Sequence, residues 1–539
     1  MLVLTSGIGF SIQQVRAQQK PHIILIMADQ HRGDALGCMG NPAVISPNID
    51  KLSEEGTLFC NGYSSTPSST PARAGLLTGM SPWRHGMLGY GRVAMQYRYE
   101  MPAMLREQNY YTFGIGKMHW SPQKSLHGFH GTLLDESRRA ETKYFISDYR
   151  LWLQIQMPGV NPDLTGIGWN EHRAGTYKLP EELHPTAWTG KMACELIQNY
   201  NNESPLFLKV SFARPHSPYD PPQRLLDEYE ETEIPAPYIG DWCSKYATQL
   251  DPVKADKDAP FANFGAEYAK NSRKYYYANV TFIDEEIGKI IQALKDKGMY
   301  DNALICYVSD HGDMLGAHRL FSKNAAIYEE VVNIPLIIKG GERGKVVTAP
   351  ASHIDIAPTV MEYFELPIPK LLEGKSMLPQ IYDTTLKINS EVYTEFTRYE
   401  IDHDGFGGLQ IMRGVISENY KLAVNLLDKD EFYDLKKDPD EMVNEIDNPE
   451  YLEIICKYHK KLVTHMNDTR DLYRGYQWSL RDWNKGYIPR WDNEGFTRQR
   501  ENEEYEPRQL DYDTGLPMKK AVRSKYLYEM GENNDKGKV

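Results

Sequence analysis

The sequence predicts an α/β fold: a large domain with a mostly parallel central sheet between helices, then a smaller C-terminal α+β domain with an antiparallel sheet. Three observations carry this reading. Apolar runs of strand length recur at 22–28 (HIILIMA), 111–115 (YTFGI), 206–213 (LFLKVSFA), 303–309 (ALICYVS) and 335–339 (PLIIK). Runs without polar alternation suit strands covered on both faces. Helical patterns lie between them, and strands alternating with helices make a largely parallel sheet. After about residue 370 the pattern changes to shorter strands, EVYTEF, LQIMRGVIS and YKLAVNLL, followed by the turn-rich EFYDLKKDPDE.

The elements follow in order. The first 18 residues, apolar and then small and polar, read as a shortened export signal without the usual basic start. After the 22–28 strand, ISPNIDKLSEEG reads as a helix with Ser46 as N-cap, Pro47 at its first position and Gly56 as its stop. The stretch 278–298 reads as a helix with Ile283, Ile287, Ile290, Ile291 and Leu294 on one face. We assign 20–385 to the catalytic domain, 386–470 to the smaller domain and 471–539 to an extension. Within that extension, 473–496 holds three of the nine tryptophans. Such aromatics suit either sugar stacking or packing on a core or a second subunit.

Bulk properties narrow the function. The 539 residues carry a net charge of −13, with 41% apolar and 25% charged residues. An acidic chain is a poor nucleic-acid partner, and an anionic substrate needs a local positive pocket. No apolar run reaches membrane-spanning length. The six cysteines show no CxxC spacing and read as small core residues.

Chemistry collects where the strands end. In open α/β sheets ligands bind at the carboxyl ends of strands. Here those ends carry Asp29 and Gln30, then Lys117 and His119, then His216, then Asp310, His311 and Asp313, with Lys323 just beyond. Asp29, Gln30, Asp310 and His311 offer hard oxygens and one imidazole, a set suited to a divalent cation. Arg73, Lys117, His119, His216 and Lys323 offer positive or proton-donating groups. A cation beside such a cluster describes a pocket for a tetrahedral oxyanion ester.

The stretch SSTPSSTPARAGLLTG (64–79) adds a nucleophile. It resembles the Cys/Ser-x-Pro-x-Arg signature of the type I sulfatases of the alkaline phosphatase superfamily. The blocks PHIILIMADQHRGDALG, GIGKMHW, FARPHSPYDPP, VSDHGDMLGAHRLFSK, EEVVNIPLIIKGG and HIDIAPTVMEYFELP are similar to that family's blocks, in order, over about 20–440. The resemblance implies an alkaline-phosphatase-like large domain. It implies that the first signature residue is converted to formylglycine, whose hydrate attacks sulfur and later expels sulfate. Only Ser69 satisfies the signature, because Ser65 is followed by Ser69 where the arginine must stand. Ser69 would begin a helix whose dipole favours an anionic nucleophile, and Arg73 could reach back one turn to it.

Further roles come from the resemblance alone. It implies Asp29, Gln30, Ser69, Asp310 and His311 as ligands of one divalent metal. Calcium is the expected ion and manganese the alternative, since Gln30 and His311 replace the commoner Asp and Asn. It implies Lys117 and His119 around the sulfate, His216 and Lys323 at the leaving oxygen with His216 as general acid, and Asp310 as an acceptor of the nucleophile's proton. A serine implies an anaerobic-type formylglycine-generating maturation enzyme acting before export, hence a periplasmic or secreted bacterial protein. The implied substrate is a sulfate ester on a small molecule or a glycan such as a glycosaminoglycan. Two readings compete. One is a phosphonate or phosphate monoester hydrolase of the same superfamily, which shares the Asp-Gln and Asp-His pattern but carries hydroxyl residues in place of Lys117 and His119. The other is an unmodified, inactive glycan-binding homologue. Bland readings suit His318, Asp313 as a loop or cap residue, His353 and Asp355 at a helix start, and Arg398, Asp402 and His403 in a charged loop.

Overall fold

The structure is a computed structural model describing residues 20–87, 96–140, 142–255, 263–323, 327–398, 409–469, 471 and 473–487. The N-terminal 18 residues, Asp402, His403 and Trp491 lie outside the described residues.

Eight strands build the large sheet: β1 (His22–Asp29), β2 (Thr57–Phe59), β3 (Tyr111–Gly116), β4 (Gly131–Leu134), β5 (Leu206–Pro215), β6 (Ala303–Ser309), β7 (Leu336–Lys339) and β8 (Lys345–Val347). Their order is β4-β3-β5-β1-β6-β7-β2-β8. The five strands from β4 to β6 are mutually parallel, whereas β7 is antiparallel to both neighbours. The five apolar runs all form strands. The alternation of β1 divides it between two cores: Ile24, Ile26 and Ala28 face one, and Ile23, Leu25 and Met27 the other. A strand apolar on both faces is thereby used on both.

Helices cover each face: α1 (Pro47–Glu54), α2 (Ser69–Thr78), α3 (Asp148–Gln156), α4 (Pro185–Asn199) and α5 (Ala266–Asp296). Ser46 sits at the cap position of α1 without capping it. Its hydroxyl instead donates to Asp50 and accepts from the Gly37 N–H. The free N–H groups of Asn48 and Ile49 donate to Asp284 of α5. Helix α5 starts well before the isoleucine stripe. Ahead of that stripe it buries Tyr276 and Tyr277, and the Tyr276 hydroxyl bridges the Gln30 carbonyl and the Arg32 N–H.

The C-terminal sheet is antiparallel in sequence order: β9 (Glu391–Arg398), β10 (Leu409–Ser417), β11 (Tyr420–Asn425) and β12 (Glu431–Asp434). The first four residues of the turn-rich segment are thus a strand. Helix α6 (Leu452–Asp468) lays Ile455, Leu462 and Met466 on Val415, Leu422 and Phe432. Trp478 is buried in that core beneath Arg413, and the Trp483 indole donates to Asp430. These two tryptophans therefore pack on the chain itself. The sheet is tied to the large layer by the Glu395 N–H donating to the Ser65 carbonyl, and by Lys421 between Glu329 and Glu441. All six cysteines are free thiols. Among the described residues no helix is long and apolar enough to cross a membrane.

Candidate active site

Strand register assembles the site. Ala28 pairs with Ser309, so Asp29 and Asp310 emerge side by side. Gly116 pairs with Ser211, which brings Lys117 against the end of β5. Gly116 has φ of 93°, and a Cβ there would lie 2.0 Å from the Ser211 carbonyl oxygen. Only glycine lets the chain turn so closely, and the Lys117 N–H then donates to that same carbonyl at 2.8 Å.

Ser69 is the first residue of α2 and is fully buried. Its Oγ lies 2.8 Å from His311 Nε2. The other ring nitrogen, Nδ1, meets the Gly312 carbonyl at 2.9 Å, which assigns the proton to Nδ1 and leaves Nε2 as the acceptor. The hydrogen-bond neighbour of the Ser69 hydroxyl is therefore His311. Asp310 Oδ1 accepts the Gln30 and His311 N–H groups, and Oδ2 accepts from Arg73. Ser65 in the first Ser-Thr-Pro unit is a loop anchor, held by its N–H and hydroxyl against His353.

Arg73 does not reach back to Ser69. Its guanidinium, 1% exposed, lies between the two carboxylates, with Nε 2.9 Å from Asp310 and Nη2 3.2 Å from Asp29. Nη1 also donates to the Lys117 carbonyl and the Ser211 hydroxyl. Asp29 further pairs with the Lys117 ammonium. Burial alone would raise the Asp29 carboxyl, but Lys117 and Arg73 hold it well below the usual range.

Asp29, Asp310 and His311 each bring one ligating atom within 4.8 Å of the others. Gln30, next in sequence to Asp29, takes a left-handed backbone, φ 63°. Its side-chain N–H donates to Asp313, which fixes the amide so that Oε1 is the free end, and Oε1 is buried with no hydrogen-bond partner. A buried, unpartnered carbonyl oxygen on the residue that follows Asp29 is a donor of the kind a hard cation takes. Asp313 thus does more than cap the Leu315 N–H: it also takes the Tyr219 hydroxyl.

The cationic side is equally built. The N–H groups of Met118 and His119 both donate to Glu136 Oε1, a support that a single Glu in a loop gives no sign of in sequence. His119 sits at φ 62°. His216 Nδ1 meets the Ser217 carbonyl, and its N–H donates to the Asp29 carbonyl. Burial first, then the Lys117 charge, pushes the His216 imidazole well below its ordinary pKa. Lys323 is buried, and desolvation lowers it too. His318 accepts the Gly240 N–H and packs its ring, tilted by 35°, against Trp242. Asp355 does begin a helix, in a capping box with Ser352.

The large α/β sheet thus gathers Ser69, Asp29, Asp310 and His311 at its strand ends, and comparison with known proteins places the chain in the alkaline phosphatase superfamily. The sulfatase family model matches residues 21–366, and the C-terminal region of N-sulphoglucosamine sulphohydrolase matches 316–468. An arylsulfatase of Clostridium perfringens is 33% identical over 475 residues, 84% of this chain and 96% of the relative. The sulfatase YidJ of Escherichia coli K12 is 32% identical over 509 residues, 93% and 97% of the two chains. Among solved structures, the phosphonate monoester hydrolase of Agrobacterium radiobacter superposes with a TM-score of 0.70 at 22% identity, over 85% of this chain and 97% of that one. The chain belongs to the sulfatase family, and it is a sulfuric ester hydrolase.

Proposed function

We propose that the chain removes sulfate from a sulfated carbohydrate, using a formylglycine made from Ser69 beside one divalent cation, calcium first and manganese second. The observation that carries this reading is the placement of Ser69. It stands at the amino end of a buried helix, in contact with His311, which is grouped with Asp29 and Asp310. Gln30 Oε1, Asp29, Asp310, His311 and the Ser69 position would hold the cation, which supplies Lewis-acid stabilisation of a sulfate oxygen. The hydrated aldehyde supplies an attacking hydroxyl and a second hydroxyl for sulfate release.

The chain's own residues do the rest. Arg73 pairs with both carboxylates and holds them in register. Lys117 and His119 bind the transferred group. His216 is neutral in the buried site. An arriving anion raises its pKa, so it takes up a proton and gives it to the leaving oxygen, with Lys323 beside it. We assign the catalytic domain to 20–385 and the smaller one to 386–470. Maturation is by an anaerobic-type enzyme before export to the periplasm or beyond. A relative that is an N-acetylglucosamine-6-O-sulfatase of Bacteroides thetaiotaomicron, 25% identical, supports a sugar substrate.

Turnover tests the reading against the phosphonate alternative. The kcat/KM for an aryl or sugar sulfate should exceed that for the matched phosphonate monoester by at least ~10-fold, about 1.4 kcal/mol of transition-state binding. Replacing Lys117 and His119 with hydroxyl residues should shrink that ratio. A wild-type preference for the phosphonate, unmoved by the double substitution, would overturn it.

A further inference from the structure

One strand outward from the Lys117–His119 turn, on the same edge of the sheet, lies a cleft that the roles above do not use. β4 pairs in parallel with β3, with Leu134 opposite Gly116. The residues after Leu134 therefore emerge beside that turn, one strand spacing away. The Asp135 N–H donates to the Gly116 carbonyl. Ser137 and Arg138 then take left-handed backbone, φ 50° and 73°, a strained conformation for such residues that clusters at functional sites. The turn presents Arg138 and Arg139, and Arg150 of α3 joins them. Together with Glu136, Phe145 and Asp163 they line a cleft of about 300 Å³.

Its described lining is rich in guanidiniums. Asp163 serves two guanidiniums, Arg138 at 3.1 Å and Arg150 at 2.8 Å. Glu136 pairs with Arg139 through Oε2 at 3.0 Å, while its Oε1 takes the Met118 and His119 N–H groups. Among the described residues that line the cleft, three guanidiniums face two carboxylates, in a chain of net charge −13. The side chains of Arg138 and Arg150 are 31% and 33% exposed, open to a ligand. Guanidinium forks fit carboxylate and sulfate oxygens in pairs. Glu136 also ties the cleft directly to the backbone that positions His119.

We propose that this cleft is a subsite for a second anionic substituent, a carboxylate or a further sulfate, on a glycan whose sulfate ester sits at Ser69. The inference rests on the sulfatase reading above and narrows its substrate to multiply charged, acidic oligosaccharides.

The test compares wild type with Arg138→Gln, Arg150→Gln and the double variant on three substrates. These are a singly charged aryl sulfate, a sulfated disaccharide carrying a uronate carboxylate, and a disulfated disaccharide without one. Aryl sulfate turnover should be unchanged. The KM for a doubly charged substrate should rise about 10-fold in the double variant with little change in kcat, the loss expected for charge-assisted hydrogen bonds. Whichever disaccharide responds identifies carboxylate or sulfate as the partner. A double variant whose KM for both disaccharides stays within about twofold of wild type, with aryl sulfate turnover intact, overturns the proposal. If wild type hydrolyses no sulfate ester, the sulfatase reading fails instead. Calorimetric binding of the two disaccharides, weakened in the double variant or equal in both proteins, then decides the cleft by itself.

Discussion

Replacing Arg73 should expose how the site manages its charge. The guanidinium is fully enclosed and makes four contacts: Asp310, Asp29, the Lys117 carbonyl and the Ser211 hydroxyl. Arg73→Met keeps most of the volume and removes the charge. Asp29 then retains Lys117, but Asp310 loses its only pairing cation among the described residues. Breaking a buried ion pair from one side costs roughly 3–5 kcal/mol, a large part of a typical net stability of about 5–15 kcal/mol. The assay is the unfolding midpoint in chelator and in excess calcium. The variant should melt well below wild type in chelator. Calcium at one free concentration should then stabilise the variant more than wild type, because a bound cation now supplies the missing charge; a protein at a hundred times its Kd gains about 2.7 kcal/mol in all. Equal melting of Arg73→Met and wild type in chelator would refute the idea that Arg73 neutralises the pair. So would an identical calcium increment in both.

Three further outcomes follow from other contacts. Asp313→Ala frees the Gln30 amide, so calcium affinity by titration should fall about 10–100-fold, as for other supports of metal ligands; unchanged affinity would remove Asp313 from the site. Gly116→Ala drives a Cβ into the Ser211 carbonyl, so it should cost at least ~2 kcal/mol of stability and most of the activity, whereas a normal melt and normal turnover would contradict the close approach. His353 is pushed down to about 4 by burial against an ordinary 6.5. The unfolded chain therefore binds more protons between those values, and stability rises with pH across about 4 to 6.5 and is lost as pH falls through that window. The contribution is up to about 3 kcal/mol, and His353→Asn should flatten that acid limb relative to wild type; an acid limb as steep as wild type's would rule His353 out as its source.

The sheet was legible because its strands are buried on both faces, so apolar runs such as HIILIMA carry no competing alternation. The convergence of Asp29, Lys117, His216 and Asp310 was legible because they stand at or just past the ends of those runs, and strand ends converge in a parallel sheet. That Ser69 and not Ser65 meets the signature needed only the Arg73 spacing. The direction of Arg73 was not legible. Local helix geometry favours a reach back to Ser69, but the β1–β6 register places two carboxylates in range, and the ion pairs win. Glu136, Ser211 and the wider role of Asp313 were missed because isolated polar residues leave no periodic signal. The early start of α5 was hidden for a related reason: tyrosines and lysines, not isoleucines, make its first turns. Ser46 looked like a cap because the sequence could not show Asp284 arriving from α5.

The most direct measurement is the mass of the tryptic peptide 52–73, which contains Ser69, read alongside turnover of the same preparation. Conversion of the alcohol to an aldehyde removes two hydrogens, so the peptide should be about 2 Da lighter than encoded. Activity across preparations should scale with the converted fraction, and Ser69→Ala should be inactive. A fully active preparation whose peptide carries unmodified serine would contradict the account.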